Sequence, residues 1–197
     1  LVAGGVTDVA IGCGVESMSR IPIGANSSKK LGLGVPIPKP YFGRYEFTSQ
    51  FEGAERIAER WGISRDDCDR FGLASQERAA RAWAEDRFAG QLVSVTAPDV
   101  DADGNATGTT HVVDRDEGLR ETTLDKLASL KPVAREDGAH TAGSASQISD
   151  GAAAVLVMPS DRAGSLGLTP RARIVDSCLV GVDPVLMLTG PIDATRR

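Results

Sequence analysis

The chain has 197 residues, a formal net charge of -5, 41% apolar residues and 25% charged residues. That composition can build a core, which argues against disorder, and the acidic balance argues against a nucleic-acid binder. No run of apolar residues is long enough to span a membrane, no signal-peptide pattern opens the chain, and the scattered Cys13, Cys68 and Cys178 form neither a disulfide framework nor a zinc site, so a reducing, cytoplasmic setting is expected.

Thr7 to Gly14 is a short apolar run bounded by glycine, and it predicts a buried strand of a parallel sheet. Cys13 within it reads as a small core residue. Residues 20 to 48 carry Gly24, Gly32, Gly34, Pro36, Pro38, Pro40 and Gly43, and predict a long irregular excursion. Gly32-Leu33-Gly34 lacks the flanking strand and helix of a dinucleotide fingerprint. Ser49-Gln50-Phe51-Glu52 has the form of a capping box. Ala54, Ile57, Ala58 and Trp61 follow on one helical face, and Gly62 ends the helix. Ser64-Arg65-Asp66-Asp67 starts a second helix with acidic residues in its first turn, where the helix dipole favours them. Its apolar stripe reads Cys68, Phe71, Ser75, Ala79, Ala82, and it is expected to run to about Phe88.

Leu92 to Val95 and Thr109 to Val113 read as strands, joined across Asp101-Ala102-Asp103-Gly104-Asn105 with Asp-Gly as a turn signal. A calcium loop fits this stretch less well, because its glycine comes two places early and its twelfth position is Val112 instead of a glutamate. Thr122-Thr123 can cap a short helix from Leu124 to Ser129 that halts before Pro132. Ala152 to Met158 and Arg171 to Val180 read as further strands, which makes the chain α/β.

The histidines, His111 and His140, have no serine, cysteine or carboxylate at a telling spacing and read as surface or structural residues. Cys68 falls on the packed face of a helix and Cys178 in a strand pattern, so the residues alone present no nucleophile with a base. The most unusual stretch is His140 to Ala154, where small residues alternate with hydroxyls and amides. Such a stretch lets backbone approach a ligand closely; it equally suits a tight turn feeding a strand.

Thr141-Ala142-Gly143-Ser144-Ala145-Ser146-Gln147-Ile148-Ser149-Asp150-Gly151-Ala152-Ala153-Ala154 resembles the T-A-G-N-x-S-Q-x-S-D-G-A-A-A signature of thiolases. Gly14-Val15-Glu16-Ser17-Met18-Ser19 resembles their G-G-x-E-S-M-S segment. Ile63 to Asp67 with Ala74-Ser75-Gln76 resembles a helix of their inserted domain, and Gly190-Pro191-Ile192 resembles their G-P-I-P-A. These matches stand in family order over nearly the whole chain and resemble most the actinobacterial degradative acyl-CoA thiolases.

The resemblance implies a layered αβαβα thiolase fold, incomplete here. Residues 1–19 would end the first half-domain and 20–144 would form the loop domain for substrate binding and oligomer contacts. Residues 145–162 would return to the first half and 163–197 would open the second. It implies transfer of an acyl group between a 3-ketoacyl-CoA and CoA through a cysteine thioester, or the reverse condensation. CoA would be a substrate, no cofactor or metal would be needed, and the protein would be a homodimer or homotetramer. The family's catalytic Cys/His/Cys set matches none of these residues and would lie outside the chain.

Residue by residue, Arg120 corresponds to a loop-domain arginine on the nucleotide end of CoA. Ser146 corresponds to the serine on the pantetheine arm, and Ala142 and Gly143 line the same channel. Ser144 replaces the usual asparagine, and Ala134 stands where an aromatic often lies near adenine. Ser49, Gln50 and Phe51 replace a His-Met-Gly stretch near the acyl pocket, implying a different, bulkier acyl group. A shortened, non-catalytic CoA-binding or assembly protein is the alternative, disfavoured because missing strands would leave unpaired edges. A ketoacyl-synthase-type condensing enzyme fits the signatures less well.

Overall fold

The computed structural model describes residues 1–27, 31, 32, 34 and 36–197. Leu33 of the Gly32-Leu33-Gly34 stretch lies outside them. The chain divides into two compact units, residues 1–53 with 148–197, and residues 54–147.

In the first unit, β1 (Ala10–Ser17) pairs with β4 (Asp150–Val157) in an antiparallel ribbon, with Ala10 opposite Val157 and Ser17 opposite Asp150. Both strands were expected; a parallel, buried arrangement was not found. Val155 and Leu156 point to opposite faces and are 61% and 52% exposed, so neither face of the ribbon is covered. Cys13 is accordingly exposed and not a core residue. The apolar run specifies a strand that can be buried on both sides, and the reading supplied a cover that the described residues lack.

The ribbon's end is tied by polar groups. Ser19 donates both its N–H and its hydroxyl to the Asp150 carboxylate, and these hydrogen bonds hold the carboxyl below its ordinary range. Among its described residues, the excursion after β1 carries a short 3-10 turn at Ala25–Ser27 and α1 (Lys39–Phe42). Thr48 donates its hydroxyl to the Val185 carbonyl at 2.7 Å. Residues 171–180, read as a strand, form none; Cys178 is exposed there. Among the described residues no strand lies beside this segment to take its N–H groups, so its β-rich composition is not expressed as a strand. Two short helices, α5 (Ser160–Ser165) and α6 (Gly190–Thr195), complete the unit; α6 opens with Pro191 in its first turn, where a missing N–H costs nothing.

The second unit is built on α2 (Gln50–Trp61), which enters it from the first, and α3 (Arg65–Ala84). Ser49 caps α2, its Oγ accepting the Glu52 N–H at 3.1 Å. Ser64 and Asp67 form a reciprocal capping box on α3, which holds the Asp67 carboxyl low. The α3 helix stops at Ala84, short of the expected Phe88; Trp83 and Phe88 then stack at 4.9 Å and Arg115 lies over the Trp83 ring.

The stripe read from apolar spacing holds at Cys68, which is buried as expected, and fails at Phe71, which is 72% exposed while Asp69 and Gly72 are buried. The face is turned by about one residue because Gly72 permits close contact and Asp69 has a cation beside it. In the hairpin, β2 (Val95–Val100) lies later than expected, leaving Leu92 outside the strand, and β3 (Ala106–Val113) begins before Thr109 and ends at Val113 as expected. At its turn Asp101 accepts the N–H groups of Asp103 and Asn105, and Gly104 takes a φ of +84°. A short α4 (Leu124–Ala128) follows, capped by Thr123 and packed on α3. Ala58, Cys68, Leu127 and Thr141 make the buried centre of this unit. Among the described residues no helix is long and apolar enough to cross a membrane.

Candidate CoA-binding site

The loop of residues 141–147 hangs from Thr141, which is wholly buried. Thr141 donates its N–H to Ser144 Oγ and accepts the Gly143 N–H on its own Oγ1, both at 3.1 Å. Its carbonyl accepts the N–H groups of Ser144 and Ala145. A serine at 144 therefore builds the turn itself, a short side chain returning to nearby backbone.

Two glycines bring α3 against this loop. A Cβ at Gly72 would lie 2.5 Å from the Gly143 carbonyl oxygen, and a Cβ at Gly143 would run into the Leu127 side chain of α4. On its far side the loop is fastened to the turn before α4: Gln147 donates its side-chain amide to the Gly118 carbonyl. Two residues on, the Arg120 N–H is accepted by Gln76 Oε1 of α3 at 3.0 Å, and its guanidinium donates to the Glu117 carbonyl.

Arg120 and Ser146 thus sit in segments joined directly through Gln147 and Gly118, and both side chains are exposed. Ala142 is exposed and Gly143 half-buried in the same loop. Ser49, Gln50 and Phe51 lie in the first unit; Ser49 serves as the cap of α2, and Phe51 is 38% exposed.

The structure also assembles a group that sequence spacing did not reveal. His140 Nδ1 is 3.4 Å from Ser144 Oγ and 4.0 Å from Cys68 Sγ, although Cys68 and His140 are far apart in the chain. Burial pushes the Cys68 thiol up, and the nearby Glu55, Asp69 and Asp67 carboxylates add to the effect. A protonated thiol is a weak donor and a poor nucleophile, so this contact is packing chemistry, not activation of the sulfur. We predict that Cys68 in the native polypeptide escapes alkylation by iodoacetamide until denaturant is added, as read by peptide mass spectrometry. Labelling in buffer at the rate of an unfolded cysteine would contradict this. His111 is different again: with the Thr109 hydroxyl it donates to Asp99, holding that carboxyl low on the open face of the hairpin.

Residues 1–161 match a family described as "Thiolase, N-terminal domain". The chain belongs to the thiolase family. It is 40% identical over 201 residues to a steroid 3-ketoacyl-CoA thiolase of Mycobacterium tuberculosis, covering 99% of this chain and 46% of that protein. It is 38% identical to a 3-ketoacyl-CoA thiolase of Bacillus subtilis, covering 98% of this chain and 49% of the relative. The fold is similar to an acetyl-CoA acetyltransferase from Syntrophomonas wolfei, with a TM-score of 0.74, 32% identity, and coverage of 98% of this chain and 48% of that one. The chain spans about half the length of these thiolase relatives.

Proposed function

We propose that the polypeptide is an acyl-CoA acyltransferase of the 3-ketoacyl-CoA thiolase type, working as a homodimer or homotetramer, and that this chain contributes the binding surface for CoA. Residues 20–144 form the inserted domain in this reading. The observation that carries it is the Gln147–Gly118 hydrogen bond, which sets the Ser146 loop beside the Arg120 turn on one compact unit.

The chemistry suits the ligand. An exposed guanidinium matches the phosphate oxygens of the nucleotide end. Small residues at Ala142 and Gly143 let a thin pantetheine arm lie close to backbone, and the Ser146 hydroxyl can exchange a hydrogen bond with one of its amides. Phosphate recognition rests on local placement, because Arg115, Arg120, Lys126, Lys131 and Arg135 are offset by Asp116, Glu117, Glu121 and Asp125. The acyl group is assigned to the neighbourhood of Ser49, Gln50 and Phe51. Thiolysis then breaks the C2–C3 bond of the 3-ketoacyl-CoA: the 3-acyl group passes from carbon to a cysteine sulfur, the acetyl-CoA carbanion takes a proton and leaves, and the CoA sulfur accepts the shortened acyl group from the cysteine.

The direct test is thiolysis of acetoacetyl-CoA and longer 3-ketoacyl-CoA esters by the native polypeptide with CoA. Turnover is expected. Tight CoA binding without thiolysis would favour the non-catalytic CoA-binding alternative, and neither binding nor turnover would overturn both. Within the active protein, Ser146→Ala is expected to raise KM for CoA substrates about fivefold, the loss of roughly 1 kcal/mol of hydrogen bonding, with kcat little changed. An unaltered KM would make the serine purely structural.

A further inference from the structure

Glu55 is a carboxylate 3% exposed in the middle of α2, one turn before the equally buried Ala58. Burying a charge is costly unless every lone pair has work to do. Here the two oxygens accept from two successive backbone donors: Oε2 from the Ala139 N–H at 2.9 Å, and Oε1 from the His140 N–H at 3.0 Å. Gly138 makes room for this, since a Cβ there would lie 2.6 Å from Oε1.

These donors lie immediately before the candidate CoA loop. The His140 carbonyl accepts the Val133 N–H at 3.0 Å, and Thr141 forms a β-bridge with Pro132. Thr141 in turn organises Gly143, Ser144 and Ala145. The sequence of supports therefore runs from helix α2 to the Ala139–His140 backbone, to Thr141, to the loop.

We propose that Glu55 is a positioning residue: through the backbone of Ala139 and His140 it sets the height at which the 141–146 loop meets CoA. This rests on the reading of that loop as a CoA site. Glu55 itself touches no reacting atom. A carboxylate is required because two adjacent N–H groups each need an acceptor. Glutamine offers one acceptor oxygen and turns an NH2 group toward the other donor.

The test uses the native polypeptide carrying Glu55→Gln or, separately, Gly138→Ala. The alanine leaves charge unchanged and displaces the carboxylate, its Cβ also lying 3.2 Å from the Arg135 carbonyl oxygen. Each variant is read by calorimetric titration with CoA, by KM and kcat with acetoacetyl-CoA, and by amide hydrogen exchange at residues 139–146. Loss of one charge-assisted hydrogen bond is expected to weaken CoA binding and raise KM about tenfold, with kcat within about twofold, and to speed exchange in this segment. Unchanged Kd and KM in a folded variant would overturn the proposal, as would exchange that is equally fast in the unaltered protein. Should Glu55→Gln fail to fold, Gly138→Ala decides. Should the unaltered protein not bind CoA, the functional reading falls, and accelerated exchange confined to residues 139–146 still separates positioning of the loop from a global effect.

Discussion

Gly72→Ala should lower stability and weaken CoA binding together. Alanine in a helix interior ordinarily gains about 1 kcal/mol over glycine, so an exposed site would be stabilised. At position 72 the added methyl would meet a backbone carbonyl, with Gly143 O at 2.5 Å and Gly143 C at 3.3 Å. A flexible side chain could swing away; this carbonyl cannot move freely. It belongs to a loop held at Thr141 by several hydrogen bonds and at Gln147 by another. Over-packing of this kind costs about 1–3 kcal/mol, enough to outweigh the gain in helix propensity. Thermal unfolding of Gly72→Ala in the native polypeptide should therefore show a Tm lower by several degrees, and calorimetry a weaker CoA complex. A raised Tm with unchanged CoA affinity would show that α3 and the loop are not in contact.

The same contact explains what could and could not be read from sequence. Caps are local: Ser49, Ser64 and Thr123 each act within their own helix's first turn, and all three helices begin where those residues predict. The Asp-Gly turn is equally local. The signature segments identify the family because they combine several short patterns in order. The buried face of α3 was misread because apolar spacing favours Phe71, whereas the neighbour that decides packing is the Gly143 carbonyl, a backbone atom with no sequence signature. Glu55 was missed for a related reason. A glutamate in a helix reads as solvent-facing, and its partners are N–H groups that every residue but proline carries. Cys68 and His140 meet through tertiary packing alone. In the first unit, composition could indicate strand formers but not whether β1 and β4 would find cover or whether residues 171–180 would find a pairing partner.

Removing the guanidinium of Arg65 should be the other severe change in the second unit. Arg65 Nε donates to both oxygens of Asp69 at 3.0 and 2.9 Å, and Nη2 donates to the Leu127 and Leu130 carbonyls at 2.7 and 3.1 Å. These carbonyls are at the C-terminal end of α4, which carries partial negative charge, and the Leu127 carbonyl also accepts the Leu130 N–H at 3.0 Å. One cation thus fixes α4 to α3 beneath Thr141 and Gly143. Arg65→Met would leave the Asp69 carboxylate, 4% exposed, without that partner and would take a charged donor from both carbonyls. Breaking a buried pair costs about 3–5 kcal/mol, and since the Arg65 side chain is 28% exposed a loss nearer 2–4 kcal/mol is expected. Arg65→Lys should recover only part of it, because a point charge cannot serve the carboxylate and the two carbonyls in one plane. Adding Asp69→Leu to Arg65→Met should restore stability relative to the single variant, since no unpaired charge then remains buried. Denaturant titration of the three variants checks this. Equal stability of Arg65→Met and the unaltered protein would remove the clamp from the account, and a double variant worse than the single would mean that the donor lost by the carbonyls, and not Asp69, dominates the cost.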